Sequence, residues 1–310
     1  MDQVRNIKTF QELVEFINQA KDNLSPDFLL IVLGPTASGK TKLAVKLAQN
    51  LDGEIISADS RQVYRKLDIG TGKDLMEYQD VAHHLIDIRN PEEQYNVDQF
   101  KKDFEHSYNK ILKRKKTAIL CGGTGSYIQS LLIDRPYSSV PKNSELQKDL
   151  STLSKEKLIE AIQLNGPPKD LEIDWNNHKR LVRALEIIQY LKSNSLAAPK
   201  GSIIKNYLVI GLNPALDIRR SRIDNRLNSR LEEGFLEEVK GLLAGGISHE
   251  QLQWFGLEYK YASLHLLGEL NSVEFQEKLR IEIHRFAKRQ MTYFRKMEKD
   301  GIKINWINLI

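Results

Sequence analysis

The chain has 310 residues, 41% apolar and 28% charged, with a formal net charge of +5 and a single cysteine. This is an ordinary globular composition, long enough for one large or two modest domains, and it excludes a disulfide framework or a multi-cysteine zinc site. No apolar run approaches the roughly 18 residues needed to cross a membrane, and the N-terminus MDQVRNIKTFQELVEF has no apolar signal core, so a cytoplasmic protein without a membrane partner is expected.

In chain order, Thr9 to Ala20 reads as a helix opened by a capping box, Thr9 with Glu12. Phe28–Leu33 is a short apolar strand, followed by a glycine turn and a helix running to about Leu51, with Leu43, Ala44, Leu47 and Ala48 at helical spacing. Gly53 to Asp59 is a second strand ending on a carboxylate, and His83 to Asp87 a third. Val97 to Lys113 reads as a helix with Phe100, Phe104, Tyr108 and Ile111 on one face. Lys116 to Tyr127 is a strand, then a glycine turn that opens another helix. From about Pro136 to Gly201 there is no strand signal, only polar helices and an Asn165–Pro168 breaker. Asn206 to Asn213 returns to strand character, and everything after it reads as helical.

Strands alternating with helices imply a parallel sheet covered on both faces, with ligands beyond the carboxyl ends of the strands. The expected architecture is therefore α/β, a P-loop NTPase-like parallel sheet flanked by helices. Residues 1–135 and 202–310 would form the core, and 136–201 a helical insertion domain.

The turn after the first strand fits G-x-x-x-x-G-K-[ST] at every specified position: Gly34, Gly39, Lys40 and Thr41, with Pro35, Thr36, Ala37 and Ser38 between. Glycines let backbone N–H groups curl around an anion, the following helix adds its positive end, Lys40 adds a full charge, and the Thr41 hydroxyl can hold Mg²⁺. Phosphate binding follows, but not the reaction. Downstream, Arg219, Arg222, Arg226 and Arg230 form one helical stripe beside the apolar Ile223, Leu227, Leu231 and Phe235. A later helix sets Arg285, Lys288, Arg289, Arg295 and Lys296 on one face, with Ile283, Phe286, Ala287, Met291 and Phe294 on another. Residues 281–310 carry seven Lys/Arg against three acids, a clustered positive footprint for a phosphate-rich partner. His83 and His84 lack the spaced ligands of a zinc site, and Cys121 at the end of an apolar strand reads as a buried small residue.

The ordered set GPTASGKT, ISADSRQVY, LDIGTGK, HHLIDI, CGGTGSY, KRLVRALE and AKRQMTYFR, from Leu30 to Arg295, resembles the tRNA dimethylallyltransferases, also called tRNA isopentenyltransferases. The resemblance implies transfer of a dimethylallyl group from dimethylallyl diphosphate to N6 of adenosine 37 beside the anticodon, with Mg²⁺ as cofactor and the phosphate loop, Gly34 to Thr41, holding a diphosphate leaving group. It makes Asp59 the base, Thr124 the contact to the bridging oxygen, and Lys40, Arg222 and Arg226 the phosphate contacts. It assigns tRNA contacts to Asp59, Ser60, Arg61, Gln62, Lys179, Arg180, Arg183, Arg285, Lys288, Arg289, Gln290 and Arg295. The partner is then the tRNA anticodon stem-loop, with the insertion touching tRNA and the enzyme expected to be a monomer.

The sequence departs from the usual pattern at Gly72, where alanine is common, at Lys179, and in GLEYKY (Gly256–Tyr261). Competing readings are free AMP as acceptor, a small-molecule P-loop kinase with Arg219–Arg230 as phosphate lid, and a non-enzymatic RNA-binding module. The last leaves Asp59 and the complete phosphate loop unused.

Overall fold

The structure is a computed structural model that describes residues 7–23, 27–134, 137, 140–194 and 202–308. The chain divides into two compact units, Met1–Leu132 with Ile204–Ile310, and Ile133–Ile203.

The first unit is built on a six-stranded, all-parallel sheet: β1 (Leu29–Leu33), β2 (Gly53–Ser57), β3 (His83–His84), β4 (Thr117–Gly122), β5 (Tyr207–Leu212) and β6 (Ile304–Ile307), in the order β3-β2-β4-β1-β5-β6. β1, β2 and β4 are buried along their whole length, as strands covered on both faces must be. Helix α1 (Phe10–Asp22) starts at the Thr9–Glu12 capping box, and α2 (Lys40–Asn50) at the phosphate loop. Their apolar faces, Leu13, Ile17, Leu43 and Leu47, join Leu30, Val32 and Ile55 of the sheet in one core. Helix α3 (Val97–Lys113), with the bounds expected from its periodicity, packs on β2 and β4, and α4 (Gly125–Leu132) follows β4.

Three expectations need correction. β3 stops after two residues instead of reaching Asp87, because Leu85 and Asp87 take left-handed backbone (φ 64° and 55°) and turn the chain out of the sheet. There Asp87 and Asp68 (2.6 Å) pair with the buried Lys73 ammonium, which also donates to Tyr64 O (2.6 Å). The C-terminal segment is not all helical: Ile304–Ile307 pairs with β5 from Val209↔Ile304 to Leu212↔Ile307. The alternation Ile302, Ile304, Trp306 with Lys303 and Asn305 between is short, and pairing with the edge of β5 makes it a strand. The arginine stripe lies on α8 (Leu216–Glu232), but Phe235 opens a separate helix, α9 (Phe235–Ala244), after Gly234 at φ 95°.

The second unit holds α5 (Ser144–Ser151), α6 (Lys155–Leu164) and α7 (His178–Ser193), packed through Leu150, Leu158, Ile162, Leu181, Leu185 and Ile188. Buried Glu186 ties its entry segment down by accepting from Asn143 N, Gln147 Nε2 (2.9 Å) and Arg183. Burial alone would raise the Glu186 pKa, but the Arg183, Asn143 and Gln147 hydrogen bonds outweigh it and hold the carboxyl below the usual range.

Candidate active site

The carboxyl ends of β1, β2 and β4 meet at a cavity of about 490 Å³ within the first unit. The phosphate loop supplies Thr36, Lys40 and Thr41. The segment after β2 supplies Asp59 to Gln62, the end of β4 and the turn after it supply Gly122 and Thr124, and α8 contributes Arg226 and Arg230. The far wall comes from α10 (His249–Trp254), the start of α11 (Leu257–Leu266), and Ile283, Phe286, Arg289 and Gln290 of α12 (Ser272–Lys299).

The local geometry follows from the sequence. Gly39 sits at φ 85°, the left-handed conformation that lets the loop turn into α2. Lys40, the first residue of α2, is partly buried. Burial pushes its ammonium below the ordinary lysine value, Arg226 nearby adds to that, and Asp59 opposes it. Lys40, Arg61, Arg226, Arg230, Lys260 and Arg289 line the cavity against the carboxylates of Asp59 and Glu258, and such an excess of positive charge favours an anionic ligand. Cys121, behind it, is buried and its thiol is pushed up to about 12, an inert group.

Asp59 leaves β2 with one oxygen committed: Oδ1 accepts from Arg61 N (2.8 Å) and Gln62 N (3.4 Å). Among the described residues Oδ2 has no hydrogen-bond partner, so it can accept a proton from a molecule in the cavity. Thr124 Oγ1 accepts from Ser60 N (3.3 Å), which leaves its hydroxyl hydrogen free to donate. One backbone turn thus couples the carboxylate to the hydroxyl.

Arg226 donates to Asp74 Oδ2 (2.7 Å) and Gly72 O (3.2 Å), and Gln62 Nε2 donates to the same Gly72 carbonyl (3.0 Å). Gly72 has φ 62°, and a Cβ there would fall 1.6 Å from Arg230 Nη2 and 2.2 Å from Arg226 Nη2, so glycine permits the close approach of both arginines. Arg222 lies outside the cavity, exposed, 3.5 Å from Ser38 O. Arg230 is buried against Gly70 O (3.4 Å) and Glu258 (3.5 Å).

Several residues expected to meet RNA have hydrogen-bond or ion-pair partners within the protein. Gln62 accepts from Ser57 Oγ (3.0 Å) while donating to Gly72, so both ends of its amide are in use. Gln290 accepts from Thr36 N (2.8 Å) and donates to Gly123 O (3.0 Å), clamping the phosphate loop to the turn after β4. Arg183 is held by Glu186, Pro141 O and Val140 O in the second unit. Arg180 there is exposed and paired with Asp174 (2.7 Å), and Lys179 is exposed. On α12, Arg285, Lys288, Arg289 and Arg295 are exposed, with Arg285 (2.6 Å) and Arg289 (3.7 Å) sharing Glu282. Phe286, expected in the packed stripe, is 40% exposed and lines the cavity. Gln290→Ala is expected to leave the Thr36 N–H and Gly123 C=O without partners, at about 1–3 kcal/mol for each group that stays buried. Chemical denaturation should show the loss, together with weaker diphosphate binding.

Sequence reading missed two contributors. Glu238 of α9 accepts from Asp68 N (2.8 Å), Ile69 N (2.7 Å), Gly70 N (3.1 Å) and Tyr259 OH (2.7 Å), and so fixes the LDIGTGK loop that carries Gly72. No local signal links residues so far apart in sequence. In the Gln253–Glu258 wall the sequence offers only the aromatic pair Trp254–Phe255 before Gly256 (φ 135°) as a signal.

His84 is structural: its Nε2 meets buried Glu54 (2.8 Å), which Arg114 also contacts (3.2 Å). Among the described residues no group of three or more His, Cys, Asp or Glu side chains could hold a metal, and no helix is long and apolar enough to cross a membrane.

The IPP transferase family model matches residues 62–297. The chain is 46% identical over 286 residues to the tRNA dimethylallyltransferase 2 of Phocaeicola vulgatus, covering 90% of this chain and 92% of that one. It is 44% identical over 280 residues to the tRNA dimethylallyltransferase 1 of Geotalea uraniireducens, at 90% and 92% coverage. Among solved structures, the full-length tRNA isopentenylpyrophosphate transferase of Bacillus halodurans aligns with TM-score 0.66 and 33% identity over 90% of this chain and 89% of that one. A eukaryotic dimethylallyltransferase acting on tRNA aligns with TM-score 0.73 and 25% identity over 89% and 73%. The agreement runs along nine-tenths of the chain rather than around the phosphate loop alone, and on it the chain belongs to the IPP transferase family.

Proposed function

We propose that the protein transfers a dimethylallyl group from dimethylallyl diphosphate to N6 of adenosine 37, beside the tRNA anticodon, and releases diphosphate. The observation that carries the reading is the meeting in one cavity of Lys40, Thr124 and Asp59, whose Oδ2 has no partner among the described residues. In the reaction the allylic C–O bond breaks and a C–N bond forms. The diphosphate oxygens gain charge facing the loop and Lys40, with Thr124 donating to the bridging oxygen and Arg226 approaching from α8. The N6 proton passes to Asp59. The target base must leave its stack to reach the cavity, and the exposed basic face of α12 suits the stem-loop backbone.

The donor set fits Mg²⁺ carried on the diphosphate rather than a resident ion: the Thr41 hydroxyl would hold it at the phosphate loop, and of the two lining carboxylates, Asp59 and Glu258, the second is paired with Arg230 (3.5 Å), while Mg²⁺ takes oxygen ligands from few side chains, phosphates and water. When bound, it would neutralise charge developing on the leaving group.

The test is nucleoside mass analysis of tRNA incubated with the protein, Mg²⁺ and dimethylallyl diphosphate. The expected product is adenosine bearing one five-carbon prenyl unit. Unmodified tRNA would sink the proposal, and steady ADP release from ATP would point to a kinase.

A further inference from the structure

Trp254 ends α10 at the cavity wall with 48% of its surface exposed. It is held firmly nonetheless. Buried Tyr64 meets it edge-on (centroids 5.9 Å apart, 75°), as does buried Phe255 (5.5 Å, 70°). The guanidinium of Arg61 lies 4.5 Å from its ring centroid. Arg61 is anchored through its own N–H to Asp59 Oδ1, yet among the described residues its side chain donates no hydrogen bond. An oriented indole with exposed surface thus stands beside a cation with unused donors, two residues along the chain from Asp59.

We propose that Trp254 and Arg61 form a stacking seat for the unpaired nucleobase next to the reacting adenosine. The inference rests on the tRNA reading above and deepens it. A nucleobase has a π face for the indole, and it brings a phosphate and hydrogen-bond acceptors for the guanidinium. The five-carbon donor tail has no aromatic plane and no hydrogen-bond acceptor, and burying a guanidinium against hydrocarbon costs free energy. The apolar Ile283 and Phe286 suit that tail better. Flipping the target base removes its stacking from the neighbour, and an aromatic plane at the cavity wall restores it.

The test compares anticodon stem-loop RNA carrying its natural bases with the same RNA made abasic on either side of the target adenosine. Binding is read separately from transfer, with wild type, Trp254→Ala, Trp254→Phe and Arg61→Ala. For one of the two abasic RNAs, wild type should lose about 5- to 150-fold in affinity. Trp254→Ala should lose the same on natural RNA and nothing further on that abasic RNA. Trp254→Phe should recover most of the loss, Arg61→Ala should fall between, and the donor KM should hold. Natural RNA should also quench intrinsic fluorescence more than the abasic RNA does. If Trp254→Ala fails to fold by circular dichroism, the abasic comparison and Trp254→Phe decide. Losses that simply add, equal binding of all RNAs by wild type, or a raised donor KM with unchanged RNA affinity would overturn the seat. Prenylation of natural RNA in those cases leaves the functional reading standing, whereas RNA binding without prenyl transfer sinks that reading alone.

Discussion

Asp59→Ala is expected to lower prenyl transfer at saturating substrates by about 10²–10⁴-fold, the usual cost of removing a general base. Inorganic diphosphate should still bind, because its contacts come from the loop, Lys40 and the arginines. The substitution has a second effect that must be separated. Asp59 Oδ1 also accepts from Arg61 N and Gln62 N, and losing those bonds costs about 1 kcal/mol. Asp59→Asn resolves the two: its amide oxygen keeps the turn, while its neutral side chain cannot take the N6 proton. Both variants should be comparably inactive, with Asp59→Asn closer to wild type in stability. Single-turnover transfer with preloaded donor is the measurement. Near-wild-type rates in either variant would remove Asp59 from the chemical step.

Lys40→Ala is expected to cost about 10²–10³-fold in turnover, in line with removing one preorganised donor from a developing anion, and to raise the donor KM as well. The effect on stability has the opposite sign. Burial holds the Lys40 pKa below its value in the unfolded chain, so folding disfavours the protonated form. That penalty is present at neutral pH and fades as pH rises through the folded and then the unfolded value. The alanine variant should therefore melt no lower than wild type in the absence of ligand. Added diphosphate should raise the wild-type melting temperature by mass action and leave the variant nearly unmoved. A variant that melts lower but keeps its diphosphate response would show Lys40 to be structural. Neither protein should consume ATP.

Local sequence determined whatever depends on near neighbours. The phosphate turn, the Thr9–Glu12 capping box, the bounds of α3 and the strand-end position of Asp59 all rest on contacts within a few residues, so spacing alone reports them. Order along the chain also implied the parallel sheet, because β-α alternation permits few other packings. Tertiary structure decided which polar groups remain available to a ligand. Gln290 and Arg183 carry the residue types of a recognition site, yet groups far along the chain engage their hydrogen bonds: Thr36 N lies 254 residues from Gln290, and Val140 O lies 43 from Arg183. Trp254 is the converse, an aromatic that any local reading would bury but that the cavity leaves half exposed. The last strand is a related case in the backbone: Ile302–Trp306 alternates apolar and polar residues, but Ile304–Ile307 becomes β6 only by pairing with β5. Spacing lays residues along a face, but whether a donor or acceptor on that face is free depends on long-range partners, which only the folded chain brings into contact.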